Sequence, residues 1–288
     1  MPTVEAILIS WDWRPDVIVV VATLGTVYMA GWGYLRRQGA RIARTWQLVL
    51  YLTGLAIICL ALLSPIDTFG SFLFFAHMIQ HELLVMIAPL LLLLADPLPV
   101  LLWGLPRSLR AEIGHLLTRG ALFRRILRAG TWMPVSWLLH VTTLWVWHYP
   151  AMYEASLRSE LVHDAQHLSF FLTALLFWWP IANPAPRVHG RMPYGFRIAY
   201  VGLAALQNTL LAALITLTER VLYPSYTAAP RLWGLTPLQD QITGGLIMWI
   251  PGGMMYVIAS LVLVGRMLEH EEQLTRLREA ITYGNPWC

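Results

Sequence analysis

The stretch SFLFFAHMIQHELLVMIAPLLLLLA, residues 71–95, decides the fold. It exceeds the roughly 20 apolar residues that a helix needs to cross a bilayer core. Its apolar side chains are continuous rather than alternating, which fits a helix and excludes a barrel strand. With no water in the hydrocarbon region, backbone groups must pair within the segment, as a helix does. Working outward, comparable runs lie at 16–35, 45–64, 132–150, 161–181, 195–217 and 241–265. Together they predict an all-α polytopic membrane bundle of about seven transmembrane helices, forming a single transmembrane domain over residues 1–288. Composition agrees: the chain is 57% hydrophobic and 12% charged, with a mean hydropathy of +0.58. A soluble domain carries about 25% charged residues. The first residues do not read as a cleaved signal peptide. No basic region leads the first run, and Trp11, Asp12, Trp13 and Asp16 precede it.

The arginines predict orientation. All 20 basic residues are Arg. Segments 36–44, 107–128, 187–197 and 266–278 hold 4, 6, 3 and 3 of them, and the alternate segments hold only Arg14, Arg158, Arg220 and Arg231. Positive charge favours the cytoplasmic side, so the N-terminus is expected outside and the C-terminus in the cytoplasm. The same distribution accounts for the net charge of +4 and removes nucleic acid as a partner. Pro97 and Pro99 mark the exit of the third span. Residues 107–128 combine Arg with Leu, Ile and Phe at helical spacing, which predicts a cytoplasmic interfacial amphipathic helix. Residues 266–288 form a charged cytoplasmic tail. Many of the 14 Trp fall near span ends, as interfacial belts require. Cys59 and Cys288 form no CxxC motif.

Histidine carries the chemistry. His77 and His81 lie in the third span as HMIQH, and His163 and His167 open the fifth as HDAQH. Spacing i, i+4 puts each pair on one helix face. His148 closes the fourth span. In the expected topology, His77 lies about 10 Å into its helix at 1.5 Å per residue. All five imidazoles then share the outer half of the bilayer. Ionisable residues inside a membrane are costly and point to a functional site. Neutral imidazole is a good ligand for copper, zinc, iron or nickel and brings no buried charge. Asp240, opening the seventh span on the same side, is a further candidate ligand. Glu82 and Asp164 each follow a His and point about 100° away from it, so they suit an orienting role from a neighbouring helix. Met78, Met86, Met152, Met254, Met255 and Cys59 are weaker soft-ligand candidates. His115, His189 and His270 belong to predicted cytoplasmic segments and read as surface residues, while His140 has no assigned role. Pro89, Pro180 and Pro251 predict kinks or ends of helices. Gln207 and Asn208 read as hydrogen bonders between helices.

Three stretches carry a family resemblance: HMIQHELLVMIAPLLLL (77–93), WHYPAMYEASLRSELVHDAQHLSFFLTALLFWWPI (147–181) and DQITGGLIMWIPGG (240–253). Together they resemble the CtaG family of cytochrome c oxidase assembly proteins, the caa(3)-type branch, over roughly 30–270. The resemblance implies a multi-pass protein of the bacterial inner membrane that helps a haem–copper oxidase acquire copper. It matches His77, His81, His148, His163 and His167 to the family's histidines, and Asp240 to its DQ motif. The implied partners are oxidase subunits and a periplasmic copper chaperone, besides membrane lipid.

The leading expectation is therefore a non-enzymatic metallochaperone that holds copper, as Cu(I), on the outer histidines and delivers it to an oxidase subunit. Zinc is a possible occupant of the same ligands. One alternative is a bis-His haem protein for electron transfer. Another is a seven-helix zinc hydrolase, since HDAQH is similar to HExxH with Asp in place of the general base. A third is a scaffold for oxidase subunits without metal.

Overall fold

The computed structural model describes residues 4–118, 120–190 and 192–283. Its long helices are α1 (Pro15–Arg37), α2 (Thr45–Leu63), α3 (Phe74–Leu94), α4 (Met133–His148), α5 (Glu160–Ala182), α6 (Tyr194–Leu217) and α7 (Pro237–Ile281). There is no strand among the described residues. Local chemistry sets several boundaries. Pro15 opens α1 with its fixed φ, Asp16 occupies its first turn, and Arg36 and Arg37 its last, matching the helix dipole at both ends. Thr236 and Gln239 form a reciprocal capping box at the start of α7. Ser64 accepts from the Ile66 N–H at the head of a short helix, Pro65–Gly70.

All of these except α4 are long and apolar enough to cross a membrane, six helices among the described residues, so the chain is a multi-pass membrane protein. The predicted run 132–150 yields only the 16 residues of α4, about 24 Å at 1.5 Å per residue. Pro150 lacks the N–H to continue the ladder, and a second short helix, Pro150–Arg158, starts there. The predicted amphipathic helix 107–128 is two helices, Arg107–Leu116 and Leu122–Gly130, with Gly120 between them. Neither buries a residue, and Leu109, Leu116, Leu122, Phe123 and Ile126 stay exposed, as an interfacial position requires. The tail continues α7 as helix; Cys288 lies outside the described residues.

Helix α3 is the centre of the bundle. Its apolar window is 61% buried, against 17% for peripheral α1. It packs against α2, α5 and α7. The main core joins Phe74, Met78 and Val85 of α3 to Phe170, Phe177 and Trp178 of α5, Tyr200 of α6 and Tyr256 of α7. A second cluster holds α1, α2 and the helix Pro97–Gly104 around Tyr28, Tyr51, Leu92 and Val100. There Gly31 and Gly104 let two backbones touch: a Cβ on Gly31 would lie 2.0 Å from the Val100 carbonyl oxygen.

Two π-helical turns bend the central elements. One spans Leu83–Ile87, just before Pro89; the other, Met248–Gly252, contains Pro251. Proline removes the donor that the carbonyl four residues earlier would use. For Pro89 that carbonyl is Val85, and the Trp178 indole N–H of α5 replaces the missing donor at 3.1 Å. In the other turn the Asn208 amide of α6 donates to the Met248 carbonyl at 3.0 Å. The turns face each other, since a Cβ on Gly252 would meet the Glu82 carboxyl at 2.6 Å.

Candidate metal centre

The helix that carries HMIQH is held at its first turn by a carboxylate from another helix. Asp240 of α7 accepts the Phe74 N–H at 2.8 Å and the Phe75 N–H at 3.0 Å, one on each oxygen. These are among the N–H groups that a helix start leaves without an internal partner. Below this cap the i, i+4 spacing aims His77 and His81 at α5, from which His163 and His167 point back. Ring centroids are 4.3 Å apart for His77 and His81, 4.1 Å for His163 and His167, and 5.4 Å for His81 and His167. His148, from the end of α4, sits 6.1 Å from His81. The five histidines singled out from sequence therefore converge.

Within this group His77, His81 and His167 form a tight triad, each with a ring nitrogen within 4.8 Å of the others. All three are buried, as is His148; His163 is half-buried and lies on the side of the Arg14–Asp164 ion pair. The His77 Nε2, both His81 nitrogens, the His148 Nε2 and the His167 Nε2 are buried with no hydrogen-bond partner. Each such polar atom costs about 1–3 kcal/mol if left unpaired. For His148 and His77 the other ring nitrogen has a partner. The His148 Nδ1 lies 2.7 Å from the Leu144 carbonyl, which can only accept, so Nδ1 carries the hydrogen and Nε2 is a bare lone pair. Tyr226 donates its proton to the Gly70 carbonyl at 2.9 Å, leaving its oxygen to accept from His77 Nδ1 at 3.4 Å. His77 Nε2 is then bare too. Outer hydrogen bonds of this type orient metal-binding imidazoles. Bare lone pairs on His77 and His148, with unpartnered nitrogens on His81 and His167 beside them, fit a cation with affinity for nitrogen.

Aromatic residues close the site. Tyr153 stands 5.2 Å from the His77 ring, its hydroxyl 3.0 Å from that of Tyr226, and Phe170 covers His81 at 4.7 Å. Burial pushes the Tyr226 hydroxyl above its usual range, so it stays a protonated donor. On the open side, Gln80 donates to the Asp67 carboxyl, and burial pushes Asp67 up from its ordinary value. Tyr153, Tyr226 and Asp67 escaped the sequence reading. Tyr153 had a signal, five residues past His148 in the WHYPAMY turn. Tyr226 lies in a loop helix, Ser225–Ala228, with no pattern to mark it.

Other expectations are placed differently. Asp240 is not with the imidazoles: both its oxygens serve the α3 cap, so the expected ligand is a positioning residue. Asp164 gives both oxygens to the Arg14 guanidinium at 2.5 and 2.9 Å, which tie the start of α1 to α5. These hydrogen bonds raise Arg14 further above its already high range. Glu82 faces Gly252 rather than the cluster, and Met78 packs against Gly244. Cys59 is half-buried on α2 and outside the triad. His140 is buried, stacked on Phe177 at 4.6 Å, with neither ring nitrogen partnered.

A family model described as the cytochrome c oxidase caa3 assembly factor, CtaG, matches residues 26–270. Among curated proteins, uncharacterised proteins of Mycobacterium bovis and Mycobacterium tuberculosis are each 27% identical over 261 residues, covering 86% of this chain and 38% of theirs. One of Mycobacterium leprae is 25% identical over 280 residues, covering 91% of this chain and 40% of its own. The chain thus spans about two fifths of the length of these relatives. No solved structure matches.

Proposed function

This chain belongs to the cytochrome c oxidase caa3 assembly factor family, and on that premise we propose that it carries copper to the oxidase within the membrane. His77, His81 and His167 would hold the ion, with His148 and His163 as further ligands on either flank. The membrane is then the bacterial inner membrane, with the cluster in its outer half. The acceptor is an oxidase subunit and the donor a periplasmic copper chaperone. The observation that supports this best is the convergence of buried, unpartnered imidazole nitrogens from three helices. Imidazole suits copper, and Cu(I) accepts the low coordination number that three nitrogens provide.

The residues divide the work. His77, His81 and His167 offer bare nitrogens in a buried setting. His163, half-buried beside Asp67 and the Arg14–Asp164 pair, stands where cargo would enter or leave. Tyr153, Tyr226 and Phe170 shield the opposite wall from water. Transfer by ligand exchange requires no general acid or base. The haem alternative fits poorly. Two axial imidazoles must flank a macrocycle, whereas a third imidazole here shares the space between any two. The hydrolase alternative needs Asp164 as its base, and that carboxylate is committed to Arg14.

The test is metal content after Cu(I) loading of the purified protein, beside a variant with His77, His81, His163 and His167 all changed to Ala. Near-stoichiometric copper in the wild type and none in a folded variant is the expected result. Equal copper in both, or none in either, would sink the reading and favour a metal-free scaffold. If the quadruple variant does not fold, single His81→Ala provides the comparison, with at least a tenfold loss of affinity expected.

A further inference from the structure

At the end of the bundle away from the imidazoles, the chain forms a partly open cavity of about 660 Å³. His167 and Ile181, which lines it, are 14 residues apart on α5, about 21 Å along the axis. Its walls come from the start of α4, the end of α5, residues 183–190 and 192–193 of the following loop, the start of α6 and the far part of α7. Three guanidiniums (Arg187, Arg197 and Arg266) and two imidazoles (His189 and His270) line it, against a single carboxylate, Glu271. Orientation in the membrane explains why such residues lie at this end, but not why three separate elements bring them to the wall of one cavity. Neither Arg187 nor Arg266 forms an ion pair among the described residues. Arg197 is held in place: it donates to the Ile181 carbonyl and lies 5.5 Å from the Tyr194 ring centroid.

We infer that this cavity binds the phosphate of an anionic phospholipid headgroup. Guanidinium groups pair with phosphate oxygens through two parallel hydrogen bonds, and basic pockets between membrane helices suit acidic headgroups. The remaining wall matches the rest of a lipid. Trp132 and Trp179 mark headgroup depth, and Met192 and Met267 offer an apolar face to glycerol and the first acyl carbons. A free phosphate would use the same guanidiniums but would leave that apolar wall bare.

Native mass spectrometry of the delipidated full chain, with thermal unfolding in parallel, tests this. The probes are diphosphatidylglycerol, phosphatidylcholine and inorganic phosphate at equal phosphorus. The expected outcome is one retained diphosphatidylglycerol and a rise in unfolding temperature of several degrees, with little effect from the other two. R187Q/R266Q should lose at least tenfold in retention. R276Q, an arginine of the same helix but outside the cavity, should behave as wild type. If R187Q/R266Q does not fold, R266Q alone, exposed on α7, serves in its place. Equal retention by the cavity variant, or equal retention of phosphatidylcholine, overturns the inference. A thermal shift from inorganic phosphate matching that from lipid replaces lipid with a soluble phosphate.

Discussion

Asp240 shows how one residue can be misplaced by type and explained by geometry. A carboxylate at the depth of five histidines reads as a ligand, because oxygen and nitrogen donors often share a metal. What sequence cannot show is that the first turn of α3 brings two main-chain N–H groups to it first. Asp240→Ala should leave both N–H groups unpaired and destabilise the protein by about 1–3 kcal/mol. Asp240→Asn, which keeps one acceptor oxygen, should lose less. Copper per folded molecule should be unchanged in both, measured on the monodisperse fraction after Cu(I) loading. A folded Asp240→Ala protein that loses copper would restore Asp240 to the ligand set. The histidines, by contrast, were legible. Spacing i, i+4 needs no tertiary knowledge to place two imidazoles on one face, and span order is enough to place the pairs at one depth. Which three of the five draw closest is a matter of helix rotation, and no periodicity encodes it.

Among the elements, six of the seven apolar runs coincide with helices long enough to span and the run 132–150 does not, while the prolines within α3 and α7 lie at the two distorted turns. The form of that distortion was not readable. A proline states that a carbonyl loses its donor; the neighbour that replaces it depends on helix order around the bundle. Here Trp178 serves Val85, so a tryptophan near the end of its span is a buried structural donor. Trp178→Phe should keep most of the packing yet cost about 1–3 kcal/mol through the bare carbonyl, read as a lower unfolding temperature in detergent. Because Val85 is one helical turn beyond His81, weaker copper retention is expected as well. The crossing of α1 with the helix Pro97–Gly104 offers a harsher test. A methyl on Gly104 would lie 1.9 Å from the Val27 carbonyl oxygen, backbone against backbone, with no flexible side chain to yield. Gly104→Ala should exceed the ~1–3 kcal/mol usual for overpacking. Gly33→Ala, with nothing within 4 Å, should change stability by less than about 1 kcal/mol. Equal unfolding temperatures for the two variants would mean that the close crossing does not contribute to stability.

Across the whole molecule, the open question of topology turns on α4. Six helices qualify as spans by length, and with six the two termini share one side; the arginine alternation works only with seven. The packing of α4 argues for seven. At its start, Ser136 meets Tyr200 near the head of α6; further along, Trp145 donates to Gln207; at its end, the His148 carbonyl accepts from Tyr223, beyond the last residue of α6. The 16-residue helix runs beside the 24-residue span from Tyr200 to its midpoint at Gln207, and the loop after α6 meets its end through Tyr223, so α4 lies in the same layer as a spanning helix. If it crosses, Trp132 at one end and the short helix from Pro150 at the other would extend it toward the ~30 Å hydrocarbon core. Single cysteines placed at Gly120 and at Ser159, in a background with Cys59 and Cys288 replaced by Ser, decide the matter. With an impermeant maleimide on intact cells, Ser159→Cys should label and Gly120→Cys should label only after lysis. Labelling of both from the same side would leave α4 as a helix that does not cross. It would also put the N-terminus and the C-terminus on one face and remove the reason for assigning the histidines to the outer leaflet.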